Sequence, residues 1–402
     1  MPLGRCMMAF ALISTGLCTV AALPLAPASL APQAASFVLT PPGEAAVTSW
    51  PAKLQPFFLS ALSNKLTPAE ASYIGRFPLA VINHKQGGDQ GQAEQKQISA
   101  ITAIKAANDS CAAFFYLNSQ IDFPELALHT EAKADGTWWL HNSDGSYAWH
   151  NGTEERRGAD GEHIFDWTVP AARIAWLKTA SAALAHPAVA GVFVDKAGGG
   201  CPARGVAPKH ATAWARAHDK MLDKLVASTD KHIILNNAYR LSASANQSGA
   251  GQLFERWGES PDHDGLNLIQ DMALLQRLHG NGQITLARAG GVRPGSGDKP
   301  DPKLCASGLA AFLVASAAPG LGFFSCQVDF ASTATSGWMT ELSDPVYSKQ
   351  LGAPSGAAVV SGGVASRRFS GGAVAIVKSA TGEGCVKWAD GSVSGQCPQL
   401  RG

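Results

Sequence analysis

The stretch AVAGVFVD, residues 188–195, is an unbroken apolar run that ends in one carboxylate, Asp195. A continuous apolar run is typical of a strand buried on both faces of a parallel sheet, because a half-exposed strand alternates apolar and polar residues. The segment before it, PAARIAWLKTASAALA at residues 170–185, predicts a helix that begins at Pro170. This part of the chain therefore predicts a helix that leads into a buried parallel strand.

The same alternation continues on both sides of this unit. Strand-like runs lie at residues 77–83, 111–118, 188–195, 232–238, 251–257, 283–290 and 320–327, with one more near 138–140 or at 163–167. Helical patterns separate the runs, and eight such units over about 250 residues predict an α/β fold, the (β/α)8 TIM barrel. A doubly wound open sheet is the rival, but no G-x-G-x-x-G turn follows the first strand to favour a nucleotide-binding sheet.

The amino terminus has the pattern of a targeting segment. Arg5 precedes the apolar stretch Met7–Leu23, and small residues follow, so a signal peptide is predicted at residues 1–28. A short membrane anchor is the alternative. We expect the mature chain to begin after Ala22 and before Ser36, and the protein to be secreted and extracellular, or periplasmic in a bacterium.

Composition separates the rest of the chain into three parts. Residues 29–74 form a Pro/Ala-rich leader, and residues 75–344 hold the predicted barrel. Residues 345–402 carry short β-branched runs between Gly turns, which predict a small antiparallel β domain.

The overall composition excludes several classes of protein. A chain that is 46% hydrophobic and 16% charged can bury a core, so it is not a disordered protein. Lys and Arg number 32 against 31 Asp and Glu, a net charge of +1, which argues against nucleic acid as a partner. Beyond the first 40 residues no apolar run is long enough to cross a bilayer, so we expect no membrane span in the mature protein.

Six cysteines remain after the predicted signal peptide: Cys111, Cys201, Cys305, Cys326, Cys385 and Cys397. An even number in a secreted chain favours disulfides, with buried free thiols as the alternative. Cys385 and Cys397 flank a hairpin-like stretch and are predicted to be bridged; Cys305 with Cys326 is the second candidate pair. No two cysteines have the C-x-x-C spacing of a zinc site.

Two carboxylates are the candidate catalytic residues, because reactive groups of such barrels lie where the strands end. Asp195 ends the predicted fourth strand, and Glu255 lies in the sixth. An N-cap or an ion pair with Lys196 is the structural alternative for Asp195. For Glu255 the alternative is an ion pair with Arg256 or Arg288.

Further residues at the strand ends are predicted to bind the substrate: Asn83, His84, Asn118, Asp122, Asp166, Trp167, Lys196, Asn236, Asn237, Trp257 and Arg288. Asp166 has a structural alternative as a cap for the helix that begins at Pro170. His84 has no partner at ligand spacing, so a hydrogen-bonded residue is favoured over a metal ligand. No metal and no organic cofactor are predicted.

Two carboxylates on different strands suit the cleavage of a glycosidic bond. One attacks or stabilises the sugar, and the other protonates the leaving oxygen. Flat aromatic faces for stacking on sugar rings are available at Trp138, Trp139, Trp149, Trp167 and Trp257, although some of these residues must fill the core. Proteolysis is poorly supported, because neither G-x-S-x-G nor H-E-x-x-H occurs.

Four segments resemble uncharacterised glycoside-hydrolase-like TIM-barrel families: FFYLNSQIDFP, WWLHNSDGS…FDWTVPAARIAWL, GVFVDKAG and LGAPSGAAVVSGG…SRRFSGGAVAIV. The resemblance covers about residues 75–395. It implies a (β/α)8 barrel with a β tail and a retaining site, in which Asp195 is the nucleophile and Glu255 the acid/base. Lys196 departs from these families, which often have an acidic or small polar residue there.

Together these patterns predict a secreted glycoside hydrolase that acts on an oligo- or polysaccharide through a carboxylate pair and retains anomeric configuration. The alternative from another class is a non-catalytic carbohydrate-binding protein on a degenerate TIM barrel. A lyase or isomerase would need a phosphate or metal site, for which the sequence has no motif.

Overall fold

The structure is a computed structural model that describes residues 50–60, 65–86, 92–149, 162–198, 200–203, 205–236, 249–258, 268–290, 300–317, 320–326 and 342–398. In chain order its first part contains β1 (Phe57–Ser60), α1 (Pro68–Ile74), β2 (Leu79–Ile82), α2 (Ala93–Ala107), β3 (Ala112–Asn118), β4 (Ile121–Asp122), α3 (Ala127–Asp135), β5 (His163–Ile164), α4 (Pro170–Ala185), β6 (Gly191–Asp195), α5 (Pro208–Ala227), β7 (His232–Asn236), β8 (Gly251–Phe254), α6 (Leu268–Gly280), β9 (Thr285–Ala289), α7 (Pro302–Ala315) and β10 (Gly322–Cys326). The predicted signal peptide lies outside the described residues.

Eight of these strands, all except β4 and β5, pair in parallel in the order of the chain. The first and last strands also meet, since Phe324 N donates to Gln55 O at 2.9 Å. Ser325 Oγ accepts from Phe57 N at 2.9 Å and donates to Phe57 O at 2.6 Å across the same seam. The sheet is therefore a nearly closed barrel with helices between its strands, and the predicted (β/α)8 fold is confirmed.

Local sequence explains where several helices begin. Helices α1, α4, α5 and α7 each start with proline, whose missing N–H costs nothing in the first helical turn. Thr67 and Glu70 add a capping box to α1. In the barrel, β6 needs a glycine at its start, because a Cβ on Gly191 would lie 2.0 Å from His232 O of the adjacent β7.

Two strand predictions need correction. The barrel begins earlier than residue 75, because β1 (Phe57–Ser60) belongs to it although it lies in the predicted leader. The predicted third strand, near 138–140 or at 163–167, is not a barrel strand: β5 pairs with β4 in a separate antiparallel sheet and forms a bridge to Trp149. The barrel thus gains β1, which was not predicted, and lacks the predicted third strand. The two changes cancel in the strand count, so β6 remains the fourth strand of the barrel and β8 the sixth.

The carboxyl-terminal part forms the predicted small antiparallel sheet. Its strands are β11 (Val359–Ser361), β12 (Val364–Arg368), β13 (Val374–Lys378), β14 (Gly384–Lys387) and β15 (Val393–Gly395). This sheet packs closely on α7, because a Cβ on Gly384 would lie 2.9 Å from Ala310 Cβ and one on Gly395 would lie 2.8 Å from Ala306 Cβ. The β unit therefore rests on the barrel through glycines that leave room for the alanines of α7.

Both predicted disulfides are present. Cys385 and Cys397 are joined with their Cα atoms 4.8 Å apart, and Cys305 and Cys326 with theirs 5.4 Å apart. The second bridge links α7 to the end of β10. Among the described cysteines two remain as thiols: Cys201, and the buried Cys111, whose pKa burial raises to about 12.

Within the described ranges no helix is both long and apolar enough to cross a membrane.

A buried histidine joins α6, β9 and the end of α7. His279 Nδ1 accepts from Ala317 N at 3.1 Å, so its proton is assigned to Nε2, which lies 2.6 Å from Thr285 Oγ1. Burial lowers the pKa of His279 to about 3, and the nearby Arg367 adds to this shift. Burial likewise lowers the pKa of His218 to about 3.

The lowered pKa values of His279 and His218 predict that the protein loses stability in mild acid. In the unfolded chain a histidine titrates near pH 6.5, so below that pH the unfolded state binds protons that the folded state does not. Their stabilisation is complete above pH 6.5 and is lost as the pH falls toward 3, by roughly 1–2 kcal/mol per pH unit for each residue. Urea unfolding at pH 6.5 and pH 5 should show a smaller fall in unfolding free energy for His279→Asn than for wild type, by roughly 2 kcal/mol. The exposed His232→Asn is the matched control, and equal falls for His279→Asn and wild type would contradict the prediction.

Candidate active site

Four polar residues meet at the carboxyl end of the barrel strands. Asn118 ends β3, Asp195 ends β6, Asn236 ends β7, and Glu255 directly follows β8. Because β3, β6, β7 and β8 are successive parallel strands, their carboxyl ends lie on the same edge. The two predicted catalytic carboxylates are thereby brought to one end of the barrel.

The carboxylate of Asp195 accepts four hydrogen bonds. Oδ2 accepts from the Tyr116 hydroxyl at 2.6 Å and from Asn118 Nδ2 at 3.1 Å. Oδ1 accepts from Lys196 N and from Asn236 Nδ2, both at 2.8 Å. Burial and the charge of Asp195 hold the pKa of Tyr116 well above its usual value, so the phenol remains a donor. Asp195 is thus fixed in orientation by neutral donors on both oxygens.

The backbone at Lys196 has an unusual conformation. Its φ of 54° lies in the left-handed region, which costs a residue with a Cβ about 1–2 kcal/mol. The peptide bond between Lys196 and Ala197 is held at both its carbonyl and its N–H: Ser119 Oγ donates to Lys196 O at 3.0 Å, and Ala197 N donates to Asn236 O at 2.9 Å. Lys196 therefore contacts Asp195 through its backbone N–H, rather than through the predicted alternative of a side-chain ion pair.

Glu255 is held by an amide and a guanidinium. Its Oε2 accepts from Asn236 Nδ2 at 3.0 Å, and its Oε1 lies 3.5 Å from Arg288 Nη2. Arg288 Nε also donates to the backbone O of Glu255 at 3.0 Å. The Glu255 side chain is 21% exposed. The ion pair considered as a structural alternative thus exists, and it coexists with a position beside Asp195.

The amide of Asn236 lies between the two carboxylates and limits their separation. Since Nδ2 donates to both, Asp195 Oδ1 and Glu255 Oε2 are no further apart than about 5.8 Å, the sum of the two hydrogen-bond lengths. The two N–H bonds of a planar amide diverge by about 120°, and bonds along those directions would place the oxygens about 5 Å apart. Asn236 is buried, so this spacing is set inside the protein.

A family model described as hypothetical glycosyl hydrolase family 15 matches residues 105–373, about two thirds of the chain. The chain belongs to this family. No curated protein matches the chain.

Several solved structures are similar to this chain. A xylosidase from Aspergillus niger aligns with a TM-score of 0.43 and 12% identity over 75% of this chain and 48% of its own. A GH31 family sulfoquinovosidase from E. rectale aligns with a TM-score of 0.46 and 13% identity over 72% and 45%. The galactosidase domain of an alpha-galactosidase-sucrose kinase aligns with a TM-score of 0.45 and 11% identity over 87% and 47%. The chain spans about half the length of these proteins.

Some of the predicted substrate-binding residues form hydrogen bonds and ring contacts within the protein around the site. Asn118 is buried, and its Oδ1 accepts from the backbone of the turn after β3 while its Nδ2 holds Asp195. Asn83 holds the turn after β2, since its Oδ1 accepts from Lys85 N at 3.0 Å. His84 is buried and stacks on Phe123, with ring centroids 3.8 Å apart. Asn237 lies outside the described residues.

Two predicted carboxylates lie away from the pair. Asp122 is fully buried in β4, where its Oδ2 accepts from Trp139 Nε1 at 2.7 Å and lies 2.9 Å from His129 Nδ1; burial raises its pKa. Asp166 accepts from Thr168 N at 2.9 Å and Thr168 Oγ1 at 2.7 Å, in the turn before α4. Asp166 does not cap α4, because the N-cap of that helix is Val169, without a side-chain hydrogen bond; its second carboxylate oxygen, Oδ2, lies 2.9 Å from His210 Nε2.

The predicted sugar-stacking roles of Trp167 and Trp257 are corrected by their burial. Both are fully buried, and their indole N–H groups donate to Ser119 O and Gly308 O, each at 2.7 Å. Trp138 and Trp139 are buried as well. Of the five predicted tryptophans only Trp149 is partly exposed. It lies at the end of a stack of three rings, with His163 4.0 Å from Trp149 and 3.8 Å from Trp139 between centroids.

Two residues that contact Asp195 are not among the predicted site residues. Tyr116 lies two positions before Asn118 in β3, so it faces the same side of the strand, and this period of two was a usable signal. Ser119 follows the strand in a turn, and nothing in the sequence pattern distinguishes it. Among the described residues no group of three or more His, Cys, Asp or Glu side chains could hold a metal ion.

Proposed function

We propose that this chain is a secreted, retaining glycoside hydrolase that cleaves O-glycosidic bonds, with Asp195 as nucleophile and Glu255 as general acid/base. The observation that carries the proposal is the Asn236 amide, which limits the two carboxylate oxygens to about 5.8 Å. Retaining enzymes hold their carboxyl groups about 5–5.5 Å apart, whereas inverting enzymes need about 6.5–9.5 Å to admit a water. The spacing supports retention.

The surroundings of the two carboxylates support different roles. Asp195 receives four hydrogen bonds from neutral donors, which hold its carboxylate in the single orientation that a nucleophile needs. The Glu255 carboxylate accepts from the Asn236 amide and lies 3.5 Å from Arg288 Nη2, and the side chain is 21% exposed. In the second step an acid/base takes its proton from the attacking water, and partial exposure of Glu255 lets that water reach it.

The proposed reaction has two steps. In the first, Asp195 attacks the anomeric carbon while the bond to the leaving oxygen breaks, and the proton of Glu255 passes to that oxygen. In the second, water attacks the same carbon, Glu255 takes the proton of the water, and the bond to Asp195 breaks. Glu255 recovers its proton and Asp195 its charge, so the cycle needs no further reactant.

Features outside the carboxylate pair support the substrate class and the location. Trp149 has a partly exposed face and is our candidate for stacking on a sugar ring near the site. It forms a bridge to His163 of β5, and β5 pairs with β4, which comes shortly after β3 in the chain. Two disulfides are typical of proteins that fold in an oxidising compartment, which supports secretion.

The stereochemistry of the product tests the proposal. A panel of aryl α- and β-glycosides is screened for release of the phenol, and the first sugar formed from an active substrate is followed by proton NMR before it mutarotates. We expect the product to have the anomeric configuration of the substrate. An inverted product would overturn the retaining mechanism, and binding of glycans with no turnover on the panel or on polysaccharides would favour the carbohydrate-binding alternative.

A further inference from the structure

A buried serine supports the peptide bond that follows Asp195. Ser119 N donates to Asp195 O at 2.9 Å, which extends the pairing of β3 and β6 by one residue. The Ser119 hydroxyl lies 3.0 Å from Asp195 O and 3.0 Å from Lys196 O. One hydroxyl proton is therefore shared between the two carbonyls that bracket the left-handed turn.

A buried histidine completes the hydrogen bonding of that serine. His218 lies in α5 with its Nε2 2.9 Å from Ser119 Oγ. Because the only hydroxyl proton of Ser119 points at the carbonyls, His218 Nε2 must be the donor in this contact. Burial lowers the pKa of His218 to about 3, so the ring is neutral near pH 7, with its proton on Nε2.

Two indoles fix the plane of this imidazole. The His218 ring lies 5.0 Å from the Trp214 ring and 6.3 Å from the Trp167 ring, with interplanar angles of 20° and 23°. Each indole is itself anchored, since Trp214 Nε1 donates to Phe165 O and Trp167 Nε1 to Ser119 O, both at 2.7 Å. His218 therefore has little freedom to turn its donor away from Ser119.

We propose that His218 is a positioning residue for the nucleophile: through Ser119 it holds the left-handed Asp195–Lys196 turn that directs the Lys196 N–H at Asp195. The proposal rests on the proposed role of Asp195. Lys196 would otherwise leave the left-handed region, because its Cβ makes that region unfavourable. Ser119 Oγ also holds the carbonyl of Asp195, which lies in the same peptide plane as the Lys196 N–H. Without that hydroxyl the plane would rotate, the Lys196 N–H would turn away from Asp195 Oδ1, and the carboxylate would lose one of its four donors.

A crystal structure of Ser119→Ala tests this without any substrate. We expect φ of Lys196 to leave the left-handed region and the contact between Lys196 N and Asp195 Oδ1 to break. A φ that stays near 54° in that variant would overturn the proposal.

Kinetics on the best aryl glycoside provide the second test. His218→Leu removes the donor and should lower kcat by about 10- to 100-fold with little change in KM, as expected for a misplaced reacting group. His218→Gln keeps an N–H and should recover part of that loss. Adding Lys196→Gly to His218→Leu should also restore activity, because glycine adopts the left-handed turn without support. A merely structural role for His218 would not be relieved by a glycine at position 196.

The control is His279, another buried histidine. His279→Leu also removes a buried imidazole but lies away from the carboxylate pair, so we expect lower stability with an unchanged kcat. A folded His218→Leu whose kcat equals that of His279→Leu would overturn the positioning role. If His218→Leu does not fold, Ser119→Ala with and without Lys196→Gly gives the same comparison. Full activity of an Asp195 variant would instead overturn the proposed function, so the two failures are distinguishable.

Discussion

Replacement of Asp195 by alanine is expected to lower kcat by about 10⁴-fold or more, because without the carboxylate no glycosyl-enzyme can form. The substitution leaves Tyr116, Asn118 and Asn236 facing an empty space of carboxylate size. A small anion can occupy such a space, so we expect azide to restore turnover of an activated aryl glycoside and to give a glycosyl azide of inverted configuration. Kinetics with and without azide, and NMR of the product, measure both effects.

The matched control is Asp109→Ala, at an exposed aspartate between α2 and β3 on the opposite end of the barrel; it should retain the activity of the wild type. Mass spectrometry of wild type quenched during turnover should place a sugar on the peptide that contains Asp195. Substantial activity of Asp195→Ala without azide, or a label on another peptide, would refute the assignment of the nucleophile.

Replacement of Glu255 by glutamine is expected to separate substrates by their leaving groups. Glutamine keeps the size of the side chain but has no acidic proton. Bonds to poor leaving groups should slow by about 10²–10⁴-fold, while formation of the intermediate from a dinitrophenyl glycoside should change much less. The measurement is kcat/KM for a series of aryl glycosides plotted against the pKa of the released phenol, and the slope should be steeper for the variant.

Glu131→Gln, at an exposed glutamate of α3, is the control and should leave that slope unchanged. An equal loss for good and poor leaving groups would contradict the acid role and would leave Glu255 as a residue that only supports Asn236 and Arg288.

The sequence was sufficient for the barrel where strands are long and continuously apolar. GVFVD in β6 and HIILN in β7 match the pattern of buried parallel strands, and the predicted strands end within a few residues of the observed ones. FFLS in β1 was missed because four apolar residues in a Pro/Ala-rich segment are too few to define a period. Its place in the barrel depends on parallel pairing with β2 and on contact with β10, which no local pattern encodes.

The candidate site was predictable in position and not in detail. Asn118 and Asn236 were selected because they end strands, and both lie beside Asp195. Their function as donors to carboxylates, rather than to sugar hydroxyls, depends on partners 77 and 41 residues away in the chain. For the same reason Trp167 and Trp257 were assigned to a sugar surface, since a sequence does not distinguish an indole that faces a pocket from one that fills the core.

The antiparallel β4–β5 pair has a consequence for how such a protein can diverge. It lies between β3 and β6 in the chain but takes no part in the barrel sheet, and its Trp139–His163–Trp149 stack runs from the hydrophobic core of the protein to the partly exposed Trp149. The catalytic spacing is fixed elsewhere, by the ends of β6, β7 and β8. Substitutions at Trp149 are therefore expected to leave the register of those strands intact, so that the proposed sugar-stacking surface can change while the proposed carboxylate pair keeps its spacing.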